Sequence, residues 1–183
     1  MKPQLGKDKI LDAALQLFAK KGYHTTSISL IAKTANVSKG LTYNYFKSKE
    51  ELLLAIIDQA SKKMFAVAKE MSAPQNYQDT LRQFLDQFFL FLVNNKSYLR
   101  FQLSLLFQPD LKAIVEGPLQ QRAELLLSHT ITMFREVGAE NPALTARRFI
   151  SELDGIALHH LSVFKNYPLD DMHQQLFNNY KDL

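Results

Sequence analysis

The chain has 183 residues and a formal net charge of +4; 46% of the residues are hydrophobic, with 13 Phe, 7 Tyr and no Trp. This composition is typical of a globular protein that buries a core, and it excludes a disordered chain. No window reaches the roughly 18 to 20 apolar residues that span a bilayer, and we expect no signal peptide. The absence of cysteine excludes disulfides and thiolate metal sites. We therefore expect a cytoplasmic protein without membrane contact.

Lysines cluster at the N-terminal end of the chain. Residues 1–49 contain nine lysines and two aspartates, whereas residues 50–183 contain 13 basic and 16 acidic side chains. A basic head on a mildly acidic body is typical of a module that binds nucleic-acid phosphates. The alternative, from charge alone, is a solvated lysine face that binds nothing.

Apolar residues recur at helical spacing in nearly every segment, which predicts an all-α protein. The first helix should run from about Lys7 to Lys21 and end at Gly22. A short second helix should begin at a Thr25-Thr26 cap, and a tight turn should follow at Asn36, which enters the left-handed region more easily than most residues.

Two further helix starts follow the turn. Ser38 should cap a third helix that ends near Phe46, and the capping box 48–51 should start a fourth helix that runs to about Met71. Two short helices joined by a four-residue turn have the shape of a helix-turn-helix. Proline and glycine positions predict five body helices near 77–95, 97–115, 118–137, 142–165 and 168–181, about nine helices in all.

Residues 25–54 read TTSISLIAKTANVSKGLTYNYFKSKEELLL. Together with the helix before it, from about residue 8, this stretch resembles the N-terminal signature of the TetR family of transcriptional regulators. Downstream the resemblance extends only to the helical architecture and to Leu153-Asp154-Gly155-Ile156, which is similar to an Asp-Gly element of the family's eighth helix. Two departures are Asn36 in place of the usual turn glycine, and Thr42 at a position that is normally apolar, next to Leu41 where a small hydroxyl residue is frequent.

The resemblance implies a recognition helix in the major groove. Lys39, Gly40, Tyr43 and Asn44 would face base edges, with Gly40 allowing close approach of the backbone. Phosphate contacts are expected from the other polar side chains of the head, namely Thr26, Ser27, Ser38, Tyr45 and Lys49. The alternative is that the two tyrosines merely pack a small helical core.

In the family, the last two long helices pair with their mates in a homodimer. The predicted interface residues are Ile150, Leu153, Ile156, Ala157, Leu161, Phe164, Leu176 and Phe177. A dimer also suits the chemistry, because one short helix reads too few base pairs to be specific. The alternative is that these side chains are buried within one subunit.

The resemblance also places an effector cavity in the aromatic-rich body. The predicted pocket residues are Phe65, Phe88, Phe101, Leu105, His129, Met133 and Asp154, and a lipophilic or aromatic small molecule is expected there. For each residue, ordinary core packing is the alternative. No histidine pair has the i, i+4 spacing of a shared metal ligand, so we expect no metal and no cofactor.

The sequence therefore predicts a DNA-binding domain at residues 1–48 and an effector-binding and dimerisation domain at residues 49–183. The predicted function is a ligand-responsive regulator, a repressor, that binds a palindromic operator as a homodimer. An enzyme is disfavoured, because no nucleophile elbow, phosphate loop or paired carboxylates at metal-binding spacing are present. The remaining alternative is a helical protein-interaction or ligand-binding module without operator binding.

Overall fold

The computed structural model describes the backbone of residues 3–70, 76–162 and 164–183, and the side chains of residues 5–63, 76–162 and 164–183. Within these residues the chain forms nine helices and no strand, so the predicted all-α class is confirmed. The helices are α1 (Pro3–Lys21), α2 (Ile28–Thr34), α3 (Lys39–Tyr45), α4 (Lys49–Glu70), α5 (Tyr77–Asn94), α6 (Lys96–Leu106), α7 (Pro109–Glu136), α8 (Pro142–Leu161) and α9 (Leu169–Tyr180).

The turns around α2 follow the chemistry of their residues. Gly22 ends α1 with φ +89°, and Asn36 has φ +54° in the four-residue turn between α2 and α3. Asparagine tolerates this left-handed conformation better than most side chains, so it replaces glycine without breaking the turn. The predicted turn at Asn36 is confirmed.

The start of α2 lies later than predicted. Ser27 is the N-cap, and its hydroxyl oxygen accepts a hydrogen bond from the N–H of Leu30 at 3.2 Å. The predicted cap at Thr25-Thr26 is wrong because Thr26 is buried, with its hydroxyl donating to the Gly22 carbonyl at 2.8 Å. Thr26 therefore fixes the preceding loop and leaves the cap to its neighbour.

Serine side chains also cap α3 and α4, as predicted. The Ser38 hydroxyl accepts from the N–H of Leu41 at 3.0 Å, and the Ser48 hydroxyl accepts from the N–H of Glu51 at 3.0 Å. The return bond of the capping box is displaced by one residue, because the Glu51 carboxylate accepts from the N–H of Lys47 at 2.6 Å. Both helix starts are thus satisfied by side chains before any tertiary contact is considered.

The boundary between α6 and α7 differs from the prediction. The sequence predicted a break at Gly117-Pro118, but α6 ends at Leu106, and α7 starts at Pro109 and contains Pro118 in its interior. Pro109 suits the first helical turn, where its missing N–H costs nothing. An interior proline costs about 3 kcal/mol, and burial of α7 side chains on both sides of Pro118 offsets that cost: Leu111, Val115, Thr130, Met133 and Phe134.

The chain divides into two compact units. Unit 1 comprises residues 1–61 and 97–119, and unit 2 comprises residues 62–96 and 120–183. The three divisions fall inside α4, after the first residue of α6 and inside α7. The predicted DNA-binding domain, residues 1–48, lies wholly in unit 1. The boundary predicted at residue 48 is a different division of the chain and stays a prediction.

Aromatic rings connect the elements of unit 1. Phe18 of α1 lies 5.1 Å from Tyr23 in the following loop and 5.8 Å from Phe101 of α6, measured between ring centroids. These rings join an apolar core that α1, α2 and α4 supply with fully buried side chains such as Ile10, Ile31, Leu52 and Ile57. The helix-turn-helix therefore shares one core with α6 and the first turns of α7.

In unit 2, polar contacts fasten α9 to α5 and α8. The Tyr77 hydroxyl donates to the Tyr180 carbonyl at 2.7 Å, and the Tyr180 hydroxyl donates to Glu152 at 3.0 Å. His173 and Asp86 form a second link at 2.7 Å. Burial raises the pKa of both Tyr77 and Tyr180 to about 12. These contacts leave one face of α9 anchored in the unit.

None of the helices in the described part of the chain has the length and hydropathy of a membrane span.

Two glycines allow a matched test of the helix assignments. Neither Gly117 nor Gly138 has a heavy atom within 4 Å of an added Cβ, but only Gly138 has a positive φ, +84°. We expect Gly117→Ala to change the free energy of unfolding by less than about 1 kcal/mol, because the preference of alanine for a helix interior is opposed by crowding of its Cβ against the ring of Pro118. Gly138→Ala should lower it by roughly 1 kcal/mol or more, because a Cβ strains the left-handed conformation.

Urea unfolding followed by circular dichroism measures both changes. A Gly138→Ala protein as stable as the wild type would show that the turn after α7 does not need a left-handed residue at position 138.

Candidate functional site

The recognition helix α3 has one buried and one exposed face. Thr42 is fully buried, and its hydroxyl donates to the Ser38 carbonyl at 3.3 Å. This internal bond explains how a threonine occupies a position expected to be apolar, since a buried hydroxyl is tolerated when it has a partner. Lys39, Gly40 and Asn44 are exposed.

Tyr43 lies on the exposed face with 41% of its surface accessible. The Lys39 ammonium lies 5.9 Å from the centre of its ring. The structure thus brings together the four side-chain positions predicted to face bases, namely Lys39, Gly40, Tyr43 and Asn44. The alternative that Tyr43 packs a core is excluded by its exposure.

Tyr45 and the two capping serines border this face. Tyr45 is half-buried beside Phe46, with ring centroids 6.4 Å apart. Ser27 and Ser38 are exposed, and each hydroxyl accepts a backbone N–H. Accepting through the oxygen leaves the hydroxyl hydrogen available as a donor, so the predicted phosphate contacts of these serines stay predictions.

One predicted phosphate contact, at Thr26, is corrected by the geometry, and the one at Lys49 stays a prediction. The Thr26 side chain is buried and bonded internally, so it presents no donor at the surface. The Lys49 ammonium donates to the carbonyls of Tyr23, His24 and Thr26 at 2.8, 3.3 and 3.1 Å. An ammonium has three N–H donors, so Lys49 is engaged within the protein. Burial also lowers the pKa of Lys49.

Positive charge predominates on the exposed surface of the head. Six lysines of the head are exposed, namely Lys9, Lys20, Lys21, Lys33, Lys39 and Lys47. The head contains only two aspartates before α4. This arrangement creates a positive potential that attracts a polyanion.

The predicted dimer residues divide into two groups. Leu153, Ile156, Leu161, Leu176 and Phe177 are buried within the protomer. They therefore help to pack the core of unit 2, as the alternative interpretation held. Ile156 and Leu176 also line the groove between α8 and α9, so the interface prediction stays a prediction. Ile150 and Ala157 are half-buried, and Phe164 is 53% exposed.

A groove between α8 and α9 offers apolar surface that the sequence did not reveal. Its lining includes Gly155, His159, Tyr167 and Met172, and Leu158 beside it is 50% exposed. The rings of His159, Phe164 and Tyr167 cluster at one end, with centroids 5.2 to 6.1 Å apart. The sequence feature that could have indicated this groove is the spacing of Gly155, Leu158 and His159, which places the three residues on one helix face.

The predicted pocket residues are distributed over both units. In unit 1, Phe101 and Leu105 are buried; in unit 2, Met133 is buried, Phe88 is half-buried and His129 is exposed. Asp154 also lies in unit 2, where desolvation raises the pKa of its carboxyl group while the charge of Arg122 acts in the opposite direction. The side chain of Phe65 lies outside the described residues.

None of these predicted residues lines the groove between α8 and α9. Among the described side chains, no group of three or more His, Cys, Asp or Glu residues is placed to share a metal ion. The pocket prediction therefore stays a prediction.

Comparison with known proteins identifies the family of this helix-turn-helix chain. The pattern described as "Bacterial regulatory proteins, tetR family" matches residues 10–56. The HTH-type transcriptional regulator YvkB of Bacillus subtilis, itself uncharacterized, is 31% identical over 160 residues, which cover 84% of this chain and 82% of YvkB. The chain belongs to the TetR family.

A second relative matches more strongly over a shorter stretch. YuxN of Bacillus subtilis, another uncharacterized HTH-type regulator, is 50% identical over 56 residues, 31% of this chain and 19% of YuxN. The match thus spans much less than two thirds of YuxN.

Solved structures share the fold across nearly the whole chain. A putative TetR-family regulator from Rhodococcus sp. superposes with a TM-score of 0.76 at 19% identity and covers 97% of both chains. The fatty acid degradation regulator FadR from Bacillus halodurans has a TM-score of 0.71 at 22% identity, with 93% of this chain and 94% of that chain covered. This TetR-family chain is therefore a DNA-binding transcriptional regulator and not an enzyme.

Gly40 tests whether DNA approaches the α3 backbone. An added Cβ would meet only the Ser38 hydroxyl, at 4.0 Å, so the protein's own packing does not require glycine. We expect Gly40→Ala to raise stability slightly but to weaken operator binding roughly tenfold, an effect of the size of one interaction with a base. Gly117→Ala is the control, because it makes the same change in an exposed helix outside the head. Fluorescence anisotropy measures both affinities, and unchanged binding by Gly40→Ala would exclude close approach at this residue.

Proposed function

We propose that this chain is a ligand-responsive repressor that binds a palindromic DNA operator as a homodimer. The observation that carries the proposal is the exposed face of α3, where Lys39, Gly40, Tyr43 and Asn44 project from a helix whose other face is fixed by buried Thr42. A helix anchored in this way presents its outer side chains to the major groove with little conformational freedom.

The exposed side chains have separate roles in this proposal. Asn44 and Lys39 donate hydrogen bonds to base edges, and the Tyr43 ring contacts a thymine methyl group or its hydroxyl contacts a phosphate. Ser27, Ser38 and Tyr45 contact phosphates and set the register of the head on the duplex. The exposed lysines supply the sequence-independent attraction, which falls as salt rises.

The proposed homodimer forms through an exposed apolar surface of unit 2. The groove between α8 and α9 and the exposed side chains of Leu158 and Phe164 form an apolar surface beside the half-buried Ile150 and Ala157. Because α9 is anchored to α5 through His173 and the carbonyl of Tyr180, this surface is held rigidly enough to pack against a second copy. Two heads at a fixed separation would read two half-sites of a palindrome.

The proposed effector is a small lipophilic or aromatic molecule. A regulator from Saccharomonospora viridis, solved in complex with choline, has a TM-score of 0.67 at 19% identity over 96% of this chain and 95% of that chain. Its ligand supports effector binding in this fold without identifying the effector here. Phe88, His129, Met133 and Asp154 are the proposed contacts, all within unit 2.

Effector binding would favour a dimer whose heads are wrongly spaced for the operator. The affinity for DNA then falls by the coupling free energy, typically about 1–3 kcal/mol. The protein would act in the cytoplasm, where its DNA target lies, and no resident metal or cofactor is needed for this cycle.

The first test is selection of bound duplexes from a random DNA library by the purified protein, at several salt concentrations. We expect one palindrome with a steep salt dependence, because both heads must contact phosphates and bases at once. Asn44→Ala should change the recovered sequence. Lys33→Gln, an exposed lysine outside the predicted base contacts, is the control and should not. Failure to recover any sequence above background would favour a protein-binding or ligand-binding module.

The homodimer is tested by Gly155→Lys. Gly155 lies in the α8–α9 groove, and an added Cβ meets no heavy atom within 4 Å in the protomer. We expect the variant to fold and to sediment as a monomer of 21.0 kDa, because a charged side chain would be buried against the second copy. Gly117→Lys, the same change at an open glycine of α7, should sediment like the wild type. A Gly155→Lys protein of twice the monomer mass would exclude this surface as the interface.

A further inference from the structure

One face of α8 is exposed along most of the helix. Side chains on the opposite face are buried in the core of unit 2, among them Ala146, Phe149, Leu153 and Ile156. The exposed face carries five residues at alternating intervals of three and four, which we call the outer stripe of α8: Leu144, Arg147, Ser151, Asp154 and Leu158. This spacing is typical of a helix face that packs along a second helix.

The two ends of the outer stripe are apolar. Leu144 is 64% exposed and Leu158 is 50% exposed. Each leucine is seven residues from Ser151, so the two lie about 10.5 Å to either side of it along the helix axis. A twofold axis at Ser151 would reverse the direction of a second α8 and place Leu144 beside Leu158 of the partner subunit.

The outer stripe also carries one positive and one negative side chain. Within the described part of the chain, neither the Arg147 guanidinium nor the Asp154 carboxylate forms a hydrogen bond or an ion pair. Arg122 of α7 acts on Asp154 through its charge. Two opposite charges on one exposed face therefore have no direct partner in their own protomer.

The same twofold axis brings these charges together. Arg147 lies about 6 Å from Ser151 along the helix axis, and Asp154 lies about 4.5 Å from it in the other direction. In a reversed second helix, Asp154 of the partner subunit comes to the same end as Arg147, within reach of the long arginine side chain. The pairing occurs twice, because a twofold interface repeats every contact. The outer stripe is therefore complementary to itself in both charge and apolar surface.

Ser151 has the properties that the crossing point requires. Its hydroxyl donates to the Arg147 carbonyl at 2.8 Å within the same helix. The donor therefore keeps a partner when water is excluded, and its burial costs little. The side chain is also small, so it allows two helix axes to approach closely.

We propose that α8 crosses α8 of a second copy in antiparallel orientation at Ser151, and that Arg147 of each copy pairs with Asp154 of the other. This inference rests on the proposed homodimer and deepens it by stating which side chains select the partner. Charge pairs at fixed positions favour a second copy of this chain over a helix with a different pattern. The second carboxylate oxygen of Asp154 remains an acceptor for the proposed effector contact.

Charge reversal tests the pairing. Arg147→Asp and Asp154→Arg each place like charges at both symmetric contacts, so each variant alone should dimerise roughly a hundredfold more weakly than the wild type. An equimolar mixture of the two variants should recover dimerisation, because opposite charges then meet at both contacts. Sedimentation velocity over a range of concentrations measures the dissociation constants. Wild-type dimerisation by each variant alone, or no recovery in the mixture, would overturn the proposal.

The neighbouring arginine supplies the matched control. Arg148 donates from Nε to Glu152 at 3.0 Å in its own protomer and lies outside the outer stripe. A mixture of Arg148→Asp with Asp154→Arg has the same net charge as the test mixture but should not recover dimerisation. Equal recovery in both mixtures would show that net charge, and not this pairing, governs association.

The variant that carries both Arg147→Asp and Asp154→Arg keeps the test valid if a single variant does not fold alone. Opposite charges again meet at both contacts, so this protein should be folded and dimeric. A folded monomer would overturn the proposal.

The crossing point has an independent test, because the chain contains no cysteine. Two packed helices with axes about 8–10 Å apart bring facing Cα atoms to roughly 3.5–5.5 Å, which overlaps the separation that a disulfide spans. Ser151→Cys should therefore form a covalent dimer on mild oxidation, seen by non-reducing gel electrophoresis. Ser104→Cys, an exposed serine of α6, is the control and should not. Equal cross-linking of the two variants, or none at Ser151→Cys, would exclude Ser151 as the crossing point.

These outcomes are distinct from those of the proposed function. A wild-type dimer that Gly155→Lys dissociates but charge reversal leaves intact would retain the homodimer and exclude this arrangement of α8. A wild-type protein that sediments as a monomer of 21.0 kDa at every concentration would exclude both.

Discussion

The proposed DNA-reading surface lies on two helices of seven residues each, and helices that short are not stable alone in water. The head therefore depends on contacts that replace missing intrahelical hydrogen bonds. Ser27 and Ser38 satisfy backbone N–H groups at the two helix starts, and Thr42 returns its hydroxyl to the Ser38 carbonyl. Each hydrogen bond contributes only a modest stabilisation, but together they hold α3 in a single orientation.

Tertiary contacts add what capping cannot supply. The carbonyls of the α1–α2 loop point away from any helix, and the Lys49 ammonium gathers three of them at the start of α4. The same loop contacts Asp110 through His24. Because α6 and the start of α7 share unit 1 with the head, a displacement of these helices has a direct structural route to the α1–α2 loop.

Unit 2 uses α9 differently on its two sides. One side is fixed to α5 and α8 by Tyr77, Tyr180 and the His173–Asp86 pair. An adjacent face lines a groove with α8, and Glu152, the acceptor of the Tyr180 hydroxyl, also lines this groove. A helix that is anchored on one side can present apolar surface on the other without collapsing onto it. The predicted interface residues therefore include core residues such as Leu153 as well as exposed ones such as Phe164.

The sequence by itself determined the features that depend on local chemistry. The caps at Ser38 and Ser48, the left-handed turn at Asn36 and the starts of α5 and α8 follow from side chains that act within four residues of their own backbone. The exposed face of α3 also follows from sequence, because its motif fixes which positions face inward. The residues matched by the TetR-family pattern fall in this locally determined part of the chain.

Only the tertiary structure decided the features that depend on distant partners. Pro118 predicted a helix end, but burial on both sides of it outweighs the local cost and α7 continues. Lys49 donates hydrogen bonds to carbonyls 23 to 26 residues away, and no local pattern in the sequence predicts these contacts. Leu153 and Leu176 are as apolar as an interface requires, yet they are buried in their own protomer. A side chain's identity sets what it can bind, whereas its long-range neighbours decide which of those partners it reaches.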